Sequence, residues 1–150
     1  MGISDILSED MVLAHVEAES KRNMLEQLSK FVAEKENIDE NSVFEAILER
    51  ENLGSTGYGD GVAFPHARIE GLDKVIAVFA RLNKGVDYEA LDSHPVDLIA
   101  FLLSPEKSGE DHLKALAVMS RVLKDEETCR KIREAKSAHE IYIALQKVKN

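Results

Sequence analysis

A chain of 150 residues and 16.7 kDa sets one domain, residues 1–150, as the expectation. Area scaling gives it about 7,600 Å² of folded surface against about 24,000 Å² extended, a core that needs no staples. With 44% hydrophobic residues, 31% charged residues and the single cysteine Cys129, the chain is neither disordered, fibrous nor disulfide-built. No apolar run nears the ~18 residues of a membrane span and no signal-peptide pattern opens the chain, so a cytoplasmic location is expected. The net charge of −9 comes entirely from residues 1–60, with 5 basic and 14 acidic side chains, against 14 of each thereafter. That excess, with no Trp and only 5% aromatics, disfavours nucleic acid and anionic membrane and favours protein partners.

The Met1-Gly2 start resembles a myristoylation signal, but Ile6 stands where Ser or Thr is required. Residues 11–17 (MVLAHVE) read as a strand. Ser20 is a natural cap for a helix with Met24, Leu25, Leu28, Phe31 and Val32 on one face. Asp39 caps the next helix, which repeats Val43, Phe44, Ile47 and Leu48, carries Glu49-Arg50-Glu51 in its last turn and stops at Gly54. Strand-like runs follow at residues 62–64, 75–82 (VIAVFARL) and 96–103 (VDLIAFLL), continuous enough to be buried in an internal sheet. The last third is helical. Residues 110–123 place Leu113, Leu116, Ala117 and Leu123 inward. Asp125 opens a helix with acids first and bases last, and Ser137-Ala138-His139-Glu140 has the capping-box pattern ahead of Ile141, Leu145 and Val148. Helices around a central sheet make an α/β domain, and no linker or repeat argues for a second one.

The segment GSTGYGDGVAFPH, residues 54–66, is the most unusual, with four glycines in eight positions. Such a run can turn tightly and aim several N–H groups at an anion. It lacks the lysine of a Walker A loop, the third glycine of the dinucleotide fingerprint and a nucleophile elbow around Ser55. Pro65 restricts the backbone on both sides and holds His66 where a neutral imidazole could act as a nucleophile. His112 falls in the first turn of a helix, whose dipole is expected to depress its pKa, and could donate to a phosphoryl oxygen. Arg50 ends the helix before the glycine run, where it could clamp phosphate or pair with Glu49 or Glu51. The histidines have no metal-ligand spacing, and neither Ser55 nor Cys129 has an evident activating base. Cys129 reads as core, and His15, His94 and His139 read as residues without chemistry. Two readings therefore stay open from the residues alone: a structural turn with a hydrogen-bonded histidine, and a phosphate-handling histidine site.

The run VFEAILERENLGSTGYGDGVAFPH resembles the signature of the mannitol/fructose-type IIA domains of the bacterial phosphoenolpyruvate-dependent phosphotransferase system. ALDSHPVDLIAFLLSP and HLKALAVMSRVLKDEETCRKIREA resemble its nitrogen-regulatory branch, and the likeness covers residues 3–145. The resemblance implies a three-layer α/β/α fold with a five-stranded mixed sheet. It implies that His66 accepts a phosphoryl group, as a tele-phosphohistidine, from the histidine-containing phosphocarrier protein. Arg50 and His112 fall on the family's active-site positions, and Ser55, Thr56 and Gly57 on its phosphoryl-binding loop. No cofactor or metal is implied. The expected outputs are nitrogen-, potassium- or carbon-related regulatory targets, or, in a sugar-specific member, a IIB domain. Asp60 stands where many members carry Asn, adding a negative charge that could repel phosphate, and Ala67-Arg68 stands where Gly-Lys or Gly-Arg is common.

Overall fold

Four of the five helices among the described residues start where a side-chain oxygen closes the first turn. Ser20 accepts from Asn23 N–H, Asp39 from Ser42, Asp125 from Thr128 and Ser137 from Glu140, each satisfying a donor that the helix itself leaves free. The computed structural model describes residues 1–147. Two short 3-10 turns, Ile3–Asp5 and Glu9–Met11, lead into β1 (Val12–Val16), α1 (Lys21–Glu36) and α2 (Glu40–Asn52). Three short strands follow, β2 (Gly57–Gly59), β3 (Val62–Ala63) and β4 (His66–Ile69), then two long ones, β5 (Ile76–Val86) and β6 (Val96–Pro105). Helices α3 (Glu110–Lys124), α4 (Glu126–Glu134) and α5 (Ala138–Gln146) close the order.

The sheet runs β1-β5-β6-β3-β2, with β4 also paired to β6. β3 and β4 keep one parallel register on β6: Val62 faces Leu98, Ala63 faces Ile99 and His66 faces Leu102. They are one strand interrupted at Phe64-Pro65, where Pro65 has no N–H to give the ladder and only its carbonyl accepts, from Leu102 N–H at 2.9 Å. Six segments therefore fill five strand positions, and the expected five-stranded mixed sheet is recovered with one strand broken. β1 is parallel to β5, and β5 is antiparallel to β6.

β6 is buried without interruption from Leu98 to Ser104, as a strand covered on both faces must be. α2 lies against β4 and α3 against β6, while α5 lies against β1, a three-layer α/β/α arrangement. One cluster runs through all layers and includes Leu25 and Leu28 of α1, Phe79 of β5, Phe101 of β6, Met119 of α3 and Ile141 of α5. Arg81 of β5 is built into this framework, donating to the carbonyls of Ala14, Ile132 and Ala135. The surface is 7977 Å², close to the scaling value.

Three sequence expectations are corrected. The strand placed at residues 62–64 ends at Ala63, and neither β2 nor β4 was anticipated. β5 starts at Ile76 and extends four residues beyond Leu82. On α3, Leu113 is 64% exposed, Ala117 is exposed and Leu116 is half-buried. The inward stripe is His112, Ala115, Val118, Met119, Val122 and Leu123; the apolar five pack into the core, and the His112 ring beside them is satisfied by the Ser104 hydroxyl. Of the residues expected on α5, Ile141 and Leu145 are buried and Val148 lies outside the described residues.

Candidate functional site

His66 opens β4 just beyond the proline break, so its ring leaves the sheet at a point the ladder fixes. Its Nδ1 lies 2.8 Å from the carbonyl of Phe64. A carbonyl only accepts, so Nδ1 carries the proton and Nε2 keeps its lone pair. Arg50, half-buried in the last turn of α2, donates from Nε to that Nε2 at 3.3 Å and from Nη1 to the carbonyl of Gly54 at 3.0 Å. It is thus not paired with Glu49 or Glu51 as the sequence allowed. His112 comes from the first turn of α3 and stacks at a tilt of 52° with its ring centroid 5.5 Å from that of His66. It is only 6% exposed, and its Nδ1 is 2.7 Å from the Ser104 hydroxyl. These groups share a cleft of about 330 Å³ whose walls also include Arg68, Glu49 and Leu53.

The electrostatics favour the neutral form of both rings. Burial is the main influence on His66 and holds its pKa below the usual imidazole value; the Arg50 charge acts the same way, while the Phe64 carbonyl and the Glu51 carboxylate oppose it. His112 is lowered to about 4, by burial first, then by the Arg68 charge and by repulsion from the protonated form of His66. Desolvation, rather than the helix dipole expected from its position, is therefore the leading cause.

The structure brings His66, Arg50 and His112 together and engages Ser55, Thr56 and Gly57 elsewhere. The Ser55 hydroxyl donates to the carbonyl of Tyr88 at 2.9 Å and accepts from Gly57 N–H at 3.0 Å. Thr56 gives both its N–H, at 3.0 Å, and its hydroxyl to the Glu51 carboxylate. Two amides that the sequence offered as an anion cradle are thus already satisfied by the protein. Asp60 sits in the β2–β3 turn with φ +56°, a left-handed conformation that Asp and Asn tolerate better than most residues. Its N–H goes to Asp92 at 3.0 Å and its carbonyl accepts from Arg133 at 2.9 Å, so its role here is in the turn. Cys129 is buried with Sγ 3.2 Å from the carbonyl of Leu123, and His139 bonds Glu9 at the surface.

Sequence reasoning missed Arg68, Ser104, Glu51 as a buried group, and Tyr88. Arg68 was findable, because two residues after His66 on a strand shares its face. Ser104, a lone polar residue ending a long apolar run, also carried a signal. Lys21 and Tyr88 carried none, since nothing in the linear order ties them to Glu51.

Residues 5–148 match the family described as phosphoenolpyruvate-dependent sugar phosphotransferase system, EIIA 2. The chain belongs to this family. Relatives within it include a nitrogen regulatory protein of Bradyrhizobium diazoefficiens, 41% identical over 145 residues and covering 97% of this chain and 95% of that one. A nitrogen regulatory protein homolog of Haemophilus influenzae is 40% identical over 146 residues, covering 95% and 89%. Among solved structures, the nitrogen regulatory protein IIA-Ntr of Neisseria meningitidis superposes with a TM-score of 0.90 at 31% identity, over 95% of this chain and 98% of that one. A IIA chain with these relatives is a phosphotransfer component, and no helix among its described residues is long and apolar enough to cross a membrane.

Proposed function

We propose that this IIA-family chain accepts a phosphoryl group on Nε2 of His66 from the phosphohistidine of the histidine-containing phosphocarrier protein, and that its phosphorylation state regulates nitrogen-, potassium- or carbon-related target proteins in the cytoplasm. The observation that carries the acceptor is the 2.8 Å contact from His66 Nδ1 to the Phe64 carbonyl. It fixes one tautomer and leaves a single nucleophilic nitrogen, the one facing the cleft and Arg50. In the transfer, the P–N bond to the donor ring breaks as the bond to Nε2 forms. The proton stays on Nδ1, which donates it in a hydrogen bond to the Phe64 carbonyl, and that carbonyl dipole stabilises the positive charge the ring acquires. Little covalent chemistry is asked of the protein; position and donors for three charged oxygens do the rest.

Arg50 swings its Nε from the ring nitrogen to the incoming phosphoryl oxygens, for which a guanidinium fork is suited. His112 donates from Nε2 while its Nδ1 accepts from the Ser104 hydroxyl. Ser55, Thr56 and Gly57 act in this reading as the braced loop that holds the Gly54 carbonyl under Arg50. The likeness to nitrogen regulatory proteins along nearly the whole chain supports the regulatory output.

Incubation with phosphoenolpyruvate, the general system enzyme and the phosphocarrier protein tests this. One acid-labile adduct is expected, on Nε2 by phosphorus NMR and absent in His66→Ala. An adduct elsewhere, or on Nδ1, overturns the assignment. Onward transfer to a IIB domain with rapid turnover would move the protein from regulation to sugar transport.

A further inference from the structure

The transfer uses Arg50, His66 and His112 and does not account for a carboxylate buried one residue beyond Arg50. The Glu51 side chain is 3% exposed, and its Oε1 lies 3.0 Å from Lys21 Nζ at the start of α1. The same oxygen accepts the Thr56 N–H at 3.0 Å, and Oε2 accepts the Thr56 hydroxyl. Because that hydroxyl donates to Glu51, the Tyr88 hydroxyl 3.1 Å away is left to donate to Thr56 Oγ1. Lys21 also lies 4.4 Å from the centre of the Tyr88 ring. Burying a carboxylate is costly unless it is paired and hydrogen-bonded, and here Lys21 of α1 and Thr56 of the loop after α2 both contribute to satisfying it. An apolar residue would close the helix end at less cost, so the charge calls for another explanation.

That explanation lies in what the loop does next. Two residues before Thr56, the Gly54 carbonyl takes Nη1 of Arg50, whose Nε points at His66 Nε2. Lys21, Glu51, Thr56, Gly54, Arg50 and His66 therefore form a continuous path from the start of α1 to the reacting nitrogen. Resting on the acceptor reading of His66, we propose that Glu51 is a positioning residue for phosphoryl transfer: its carboxylate, neutralised by Lys21, clamps Thr56 so that the Gly54 carbonyl holds Arg50 against the nucleophilic nitrogen.

The same carboxylate acts on the His66 ring through space and favours its protonated form. The other charged or titratable groups around the two rings are Arg50 and Glu49 of α2, Arg68 of β4, and His112 of α3.

The test compares the full-length chain with Glu51→Gln, Lys21→Met and Thr56→Val. Two measurements are made: the rate of labelled phosphoryl uptake from the phosphorylated carrier protein, and the proton-NMR titration of His66 in unphosphorylated protein. Glu51→Gln is expected to slow uptake about ten- to a hundredfold, the range for a slightly misplaced catalytic group, and to shift the His66 titration to lower pH. Lys21→Met shifts that titration the opposite way, because the Glu51 field is no longer compensated. Thr56→Val slows uptake with the titration unmoved. If Lys21→Met does not fold, the other two variants still decide.

A role in folding alone would lower the melting temperature of all three variants and leave the uptake rate of the folded fraction unchanged, and that result overturns the proposal. Labelled wild type together with a wild-type rate in folded Glu51→Gln overturns the positioning role alone. An unlabelled wild type overturns the acceptor reading, and the role in transfer with it.

Discussion

Replacing Arg50 separates the two things its guanidinium supplies, charge and a directed fork. In the resting protein it gives one hydrogen bond to His66 Nε2 at 3.3 Å and one to the Gly54 carbonyl at 3.0 Å; in the proposed transfer the first passes to a phosphoryl oxygen. A hydrogen bond to a charged group contributes about 1.5–3 kcal/mol, and 1.36 kcal/mol is a decade in rate. Arg50→Met should therefore slow phosphoryl uptake by about one to two decades. Arg50→Lys keeps a point charge without the fork and should fall between the two. The His66 titration supplies a second, independent reading. The Arg50 charge depresses that pKa, so Arg50→Met should raise it, while burial still holds it below the usual imidazole value, and Arg50→Lys should leave it nearly in place. Rapid-quench uptake of labelled phosphate and an NMR titration measure both. Uptake by folded Arg50→Met at the wild-type rate would refute the assignment of Arg50 to the transferring phosphoryl group.

His112→Ala should fold, leave the Ser104 hydroxyl without its ring partner and take up phosphate about tenfold more slowly or worse; wild-type uptake would mean that the ring is structural. The same variant has a signature in stability against pH. Because the folded His112 pKa lies near 4, below its unfolded value of about 6.5, the unfolded chain binds the extra proton between them. Its contribution is complete above about pH 6.5 and is lost as pH falls toward 4, so wild-type melting temperature should drop more steeply across that window than that of His112→Ala, with parallel curves counting against it. At Gly57 a methyl group would stand 2.8 Å from both Ala90 Cα and Cβ, so Gly57→Ala should destabilise by about 1–3 kcal/mol through overpacking, measured by denaturant unfolding; an unchanged midpoint would show that the loop yields there.

Much of this arrangement is local and so was legible. Ser20, Asp39, Asp125 and Ser137 each announce a helix within three residues, and the glycines ahead of Pro65-His66 mark His66 as the candidate acceptor. β3 was legible within residues 62–64, but β2 and β4, of three and four residues, carry too little periodicity to register, and β4 continues β3 because β6 holds both in one register, a fact distant in the chain. The face of α3 was misread because Leu113 was counted as core while Ala115, Val118, Met119 and Val122 form the buried stripe, and because burial of His112 depends on a partner, Ser104, that lies on β6. The glycine run left both a structural turn and an anion cradle open, because nothing in its own sequence reveals that Glu51 and Ser55 take the Thr56 and Gly57 amides.

The interrupted strand has a consequence for how the chain could signal. Because the ring proposed as acceptor is mounted on the sheet ladder, with β6 hydrogen-bonded on either side of the gap, loading it need not deform the scaffold. A downstream protein that tells the two forms apart would then be sensing a newly arrived dianion at a stationary address rather than a change of shape, and its discrimination would weaken as ionic strength rises.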